Sequence, residues 1–136
     1  MTYNQVVTMI GQIANAINSN GIFLHGRTYD TTLGYDKVYP QIQLFPFSQS
    51  PESSNENIIR TTCLIGFFQV DSHENNLTQR QAIIAGMDDL ARAFEDAFRL
   101  RKIQIISLRR EPQYLVQMGV VSGIAMEVVF QSGRGC

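Results

Sequence analysis

Tryptophan is absent from this 136-residue chain, and cysteine and histidine occur only twice each. So few metal-ligating and disulfide-forming residues leave little for a cross-linked or metal-held fold, but a chain of this length buries a core without either and forms one domain. Charge is also scarce. Charged residues make up 17% of the chain, against about a quarter in typical domains. The formal net charge is −1. A dedicated DNA or RNA binder needs an excess of phosphate-neutralising Lys and Arg, which this chain lacks. No apolar run reaches transmembrane length, and the first residues show no charged-then-apolar signal pattern.

The missing residue types also restrict the chemistry. Zinc and iron sites take three or four ligands from ordered elements. His73 stands in the consecutive polar run Asp71-Ser72-His73-Glu74, which reads as a solvated turn, and His25 reads as a strand-end residue. No metal site is expected. No glycine-framed serine elbow occurs, and Gly119, Gly123, Gly133 and Gly135 do not open a helix as a phosphate-cradling loop would. Cys63 lies among apolar residues, where a thiol is an inert core group. Cys136 ends a glycine-rich tail, and no bridge between the two is expected, which suits synthesis in a reducing cytoplasm. Glu95 and Asp96 fall on the water face of a helix. No catalytic residue, cofactor or enzymatic activity is expected.

What the chain does have is amphipathic periodicity. Thr2 and Gln5 have capping-box spacing, and Val6, Ile10, Ile13, Ala14 and Ile17 then recur at helical intervals, giving a helix over about residues 3–18. Asn18-Ser19-Asn20-Gly21 stops it, with Gly21 available for a left-handed cap. Ile22 to His25 is a short strand. Gly26 to Lys37 is a long loop or loose hairpin arm carrying Tyr29 and Tyr35, and a loop of that length is functional or flexible. Val38 to Phe47 is a strand in which Pro40 and Pro46 indicate an edge or a strand start. Ser48 to Asn57, SQSPESSNEN, reads as a solvated hairpin loop.

Ile58 to Val70 is the central strand. Leu64, Ile65, Phe67 and Phe68 make it apolar on both faces. Helices can cover one face, and a second sheet or a neighbouring subunit the other. Gly66 marks a bulge or a close backbone approach. The run Asp71 to Leu77 is a polar turn. A second capping box is read at Thr78 and Gln81, followed by the stripe Ile83, Ile84, Met87, Leu90, Ala91, Phe94, Ala97 and Phe98. Ile103 to Leu108 is a strand, Arg109 to Pro112 a turn, Tyr114 to Val121 a strand and Ile124 to Phe130 the last. The late basic residues Arg99, Arg101, Lys102, Arg109 and Arg110 read as helix-end and turn solvation. Residues 1–131 form one α+β domain, an antiparallel sheet with an N-terminal helix and a long second helix on one face. Residues 132–136 are a flexible tail.

This order of elements resembles the tail-terminator and tail-completion proteins of long-tailed bacteriophages, and related neck-ring subunits. The resemblance covers about residues 3–131. It rests on the helix Val6 to Ile17, the strand ending Phe67-Phe68-Gln69-Val70-Asp71, the helix bearing Met87, Leu90 and Phe94, and the last strand entered through Gly123 as Ile124-Ala125-Met126-Glu127-Val128-Val129-Phe130. It implies a structural virion protein assembled in the host cytoplasm. The subunits close into a ring, hexameric in typical terminators, between the portal or connector and the tail tube, with DNA passing through the lumen without sequence-specific or membrane contacts. Contacts around the ring would be head-to-tail, and the loops Gly26–Lys37 and Ser48–Asn57 are candidate lumen or interface segments. Tyr29, Tyr35, Tyr39, Phe45 and Phe47 are candidate interface aromatics; the tyrosines packing on their own loop is the equal alternative. The low charge fits neighbour-covered surface or an ordinary neutral polar one. A small-molecule- or peptide-binding α+β module is the other reading, and it requires a concave apolar pocket.

Overall fold

The computed structural model describes residues 1–26, 39–52, 55–101, 103–116 and 121–133. Their order is α1 (Tyr3–Ile17), β1 (Ile22–His25), β2 (Gln41–Leu44), β3 (Ser48–Glu52), β4 (Asn55–Val70), α2 (Leu77–Arg99), β5 (Gln104–Leu115) and β6 (Val121–Gly133). This is an α+β fold. The sheet runs β1-β2-β4-β6-β5, with β3 paired to the early part of β4. All pairings are antiparallel except β1 with β2.

The organising element is β4. It pairs with β6 over thirteen registered positions, from Ile58–Gly133 to Val70–Val121. Side chains alternate along a strand. Thr61, Cys63, Ile65 and Phe67 therefore face the helices, as do Ile124, Met126, Val128 and Phe130 opposite them, and all are buried. The apolar stripes of α1 and α2 close over this face with Val6, Ile10, Ile13, Met87, Ala91, Phe94 and Phe98. A row of rings ties the layers together. Phe67 meets Phe94 edge-on at 5.6 Å, Phe94 stacks on Phe98 at 5.9 Å, and Phe98 meets Phe130 edge-on at 5.2 Å. Each fully buried ring contributes about 1.5–3 kcal/mol by removal from water.

Local chemistry starts both helices. Thr2 Oγ1 accepts from the Gln5 amide at 3.2 Å, and Gln5 Oε1 accepts from the Thr2 amide at 2.8 Å. For α2 the expected cap at Thr78 is corrected. Asn76 is the cap, paired reciprocally with Gln79 at 2.8 Å in each direction. Gly21 does not take a left-handed cap. A Cβ there would lie 2.1 Å from the Pro40 carbonyl oxygen and 2.2 Å from Asn18 Nδ2, so close approach demands the glycine. Gly66 is likewise a close approach, under the Phe68 ring, and the β4–β6 register is unbroken there.

Three other expectations are corrected. The polar stretch Ser48–Asn57 is not all loop: Ser48–Glu52 is β3, and Asn55 already belongs to β4. Arg109-Arg110-Glu111-Pro112 is not a turn but the middle of β5. An edge strand tolerates Pro112 because its missing donor falls on the unpaired side. The last strand runs through Ser122-Gly123 without interruption and reaches Gly133. The Tyr39–Pro40 peptide is cis. Among the described residues, no helix is long and apolar enough to cross a membrane.

Candidate functional site

The face of the sheet away from the helices carries the even-numbered residues of β4. Across it, Gln43, Gly66, Ala125 and Glu111 form one row, and Gln41, Phe68, Gly123 and Gln113 form the next. Leu64, Glu127 and Arg109 form a third. The small residues Gly66, Gly123 and Ala125 make a low floor, and the Phe68 ring lies across Gly66. The result is a hollow of about 330 Å³ bordered by Phe45, Leu64, Phe68 and Val116 on its apolar side. Arg109 edges the other side, 3.5 Å from Glu127 and 3.7 Å from Glu111, in exposed pairs worth about 0–1 kcal/mol each. Leu64 is 41% exposed and Val70 50% exposed, although both stand on the central strand.

The candidate aromatics separate. Tyr29 and Tyr35 lie outside the described residues, as does most of the loop Gly26–Lys37. Tyr39 is half-buried, and burial pushes its phenol above the ordinary value. Phe45 joins the hollow, its amide donating to the Leu64 carbonyl oxygen at 3.1 Å. Phe47 goes elsewhere and stacks on Tyr3 at 4.0 Å and 7°. The Tyr3 hydroxyl pairs with His25 Nε2 at 3.0 Å, and His25 Nδ1 pairs with the Leu44 carbonyl oxygen at 2.7 Å. Nδ1 must carry the proton to donate to a carbonyl, which leaves Nε2 to accept from the tyrosine. His25 is thus a strand-end residue engaged in structure. His73 is exposed in its turn. Among the described residues, no three His, Cys, Asp or Glu side chains converge as a metal site would require.

Sequence reasoning missed a buried polar hub at the opposite end of β4. The Asp71 carboxylate accepts from Ser122 Oγ at 2.6 Å, Asn75 Nδ2 at 2.7 Å, Arg80 Nε at 2.8 Å and its neighbour's amide, Ser72 N–H, at 2.7 Å. Burial alone would raise the Asp71 carboxyl; four donors outweigh it and hold the group well below the usual carboxylate range. Ser122 Oγ also accepts from the Leu115 amide at 2.8 Å. The hub therefore fixes the β4–α2 turn to both ends of the β5–β6 connection. Its members are acceptors and donors already matched to one another, so the hub orients backbone and offers no free acid, base or nucleophile. Cys63 is buried at the core, its thiol pushed up to about 12 by loss of solvent. The expectation that Glu95 points to water is corrected: it is half-buried beside Arg99 and Arg110.

Compared with known proteins, the chain matches no protein-family model and no curated sequence.

Proposed function

We propose that this chain is a structural subunit that closes into a homo-oligomeric ring, a hexamer, at the head–tail junction or tail end of a long-tailed bacteriophage. It would join portal or connector to tail tube and let DNA pass through its lumen. The observation that carries this reading is Leu64, which is 41% exposed on the face of the central strand away from the helices. Both helices pack on one side, while Leu64 and Val70 of the central strand stay exposed on the other. Exposed apolar groups in the middle of a sheet are suited to burial by a neighbouring subunit. The element order of the resemblance adds support, as does α1, which carries no charged residue at all. A neutral helix face costs little to desolvate against a neighbour.

Native mass spectrometry of the purified chain, with negative-stain imaging of large species, tests this. A closed ring is the expected result, and Leu64→Arg is expected to reduce it without loss of the monomer fold. A chain that stays monomeric alone and also fails to ring up on tail tubes or connectors would end the proposal.

A non-catalytic binding module is the second reading, favoured by the hollow beside Phe45 and Phe68. It predicts a monomer whose melting temperature rises with a small apolar or peptide ligand.

A further inference from the structure

We infer that Asn20 is a modification site: it loses its side-chain amide spontaneously in the folded chain, through attack by the Gly21 backbone nitrogen, while Asn18 in the same turn is protected.

The turn Asn18-Ser19-Asn20-Gly21 joins α1 to β1 and holds two asparagines in opposite circumstances. Asn18 is buried. Its Nδ2 donates to the Pro40 carbonyl oxygen at 2.9 Å, and its backbone N–H donates to the Ala14 carbonyl oxygen at 2.9 Å. Its own carbonyl oxygen accepts from Gly21 N–H at 3.1 Å. The Asn18 side chain cannot swing to the nitrogen of Ser19 without giving up Pro40. Asn20 is exposed, and among the described residues its side chain has no hydrogen-bond partner.

The fold also fixes which residue follows Asn20. Gly21 packs so closely on Pro40 that a Cβ would lie 2.1 Å from the Pro40 carbonyl oxygen. Glycine is therefore required there. Having no side chain, it leaves its amide nitrogen unscreened and its backbone free to turn. A packing demand at Gly21 thus removes the steric shield from Asn20. One bond opposes the attack, from Gly21 N–H to the Asn18 carbonyl, and at an exposed turn such a bond opens locally without global unfolding.

The chemistry needs only water and base. Base removes the Gly21 amide proton, and the nitrogen bonds to Asn20 Cγ. The Cγ–Nδ2 bond breaks, and Nδ2 leaves as ammonia with a proton from water. The cyclic imide so formed is opened by a second water. Attack at Cγ gives aspartate; attack at the backbone carbonyl gives isoaspartate, whose main chain runs through Cβ and Cγ. Nothing is oxidised or reduced.

Both products place a carboxylate just past the C-terminal end of α1, a helix with no charged residue, where the helix dipole disfavours negative charge. Isoaspartate also lengthens the main chain beside Gly21. Ile22 N–H donates to the same Pro40 oxygen at 3.1 Å, and β1 begins there, so the longer chain displaces the start of that strand.

Ageing the purified full chain in mildly alkaline buffer tests this. A parallel sample is unfolded in guanidinium, peptide mapping by mass spectrometry follows each asparagine, and isoelectric focusing reads the charge. In the folded chain Asn20 is expected to convert to aspartate and isoaspartate, with an acidic shift of one charge and a lower melting temperature. Folding is expected to slow Asn18 at least about tenfold more than Asn20, the factor supplied by one hydrogen bond of ordinary net strength. Asn20→Ser is expected to keep the melting temperature and abolish the shift. An Asn20 that converts only in the unfolded sample would overturn the inference. Equal slowing of both asparagines, or an acidic shift that persists in Asn20→Ser, would overturn it as well.

Discussion

The Asp71 carboxylate and the Ser122 hydroxyl lie 2.6 Å apart and fully buried, though 51 residues separate them in the chain. This contact joins the end of the central strand to the start of its long partner, and Arg80 adds the first turn of α2 at 2.8 Å. Removing the carboxylate leaves Arg80 Nε, Asn75 Nδ2 and Ser122 Oγ without the acceptor they share. Asp71→Ala is therefore expected to cost about 3 kcal/mol, as breaking one member of a buried charged network does, measured by urea denaturation.

The same group sets an acid dependence. Its folded-state carboxyl is held below the usual range by four hydrogen bonds that overcome the opposing effect of burial. The stabilisation is present above the unfolded value of about 3.9 and is lost as pH falls through the folded-state value. Melting temperature is expected to fall below about pH 4, and Asp71→Asn to flatten that fall. An equal slope in both proteins would show that other carboxyls govern acid unfolding.

Two glycines should respond to alanine with opposite signs. At Gly123 a Cβ would sit 1.8 Å from the Phe67 carbonyl oxygen and 3.0 Å from Phe68 Cα, both backbone atoms that cannot turn aside. Gly123→Ala is expected to destabilise by about 3 kcal/mol, at the upper end for overpacking. Around Gly86, mid-way along α2, a Cβ meets nothing within 4 Å. Gly86→Ala is expected to stabilise the subunit by about 0.5–1 kcal/mol, since glycine is a poor helix residue. Guanidinium titrations of the two variants give both signs at once.

The ring row makes Phe94 the most sensitive core position on α2. It touches Phe67 on one side and Phe98 on the other, with no exposed surface. Phe94→Ala is expected to cost about 3–5 kcal/mol, and Phe94→Leu distinctly less, in the same titration.

Cys63 should be silent towards thiol reagents in the native protein. It is buried, with its thiol pushed from an ordinary value of 9.0 up to about 12 by desolvation. Iodoacetamide followed by peptide mapping should label it only once the chain unfolds. Its alkaline effect has a definite sign: stability falls from about pH 9 upward, because only the unfolded thiol ionises there.

Much of the fold was legible because it follows local rules. The α1 stripe and its Thr2–Gln5 box, the α2 stripe and the apolar run of β4 each express one period over many residues. The α+β class followed from their order. Legibility failed where two local answers competed. Asn76 with Gln79 and Thr78 with Gln81 both have cap spacing, and the turn around buried Asp71 selects the first. It failed again at the sheet margins. Ser48–Glu52 is too polar to look like a strand, yet it pairs with the threonines and isoleucine of β4. Arg109 to Pro112 looks like a turn, yet an edge strand accepts proline, and Arg110 finds acids on α2.

For the interface candidates, Phe45 and Phe47 are two residues apart and looked alike in the sequence. The backbone sends one to the hollow beside Leu64 and Phe68 and the other to Tyr3.

What the sequence alone determined is whatever a period of two or 3.6 can write: which faces are apolar, where each helix begins to within a couple of residues, and that one long strand carries the rest. What only the tertiary structure decided is where distant polar groups meet. The burial of Asp71 depends on Ser122, the unmet donor of Arg110 depends on carboxylates already taken by their own helix, and the exposure of Leu64 depends on both helices choosing the other side. Each is a relation between residues far apart in the chain, and neither propensity nor periodicity records such relations.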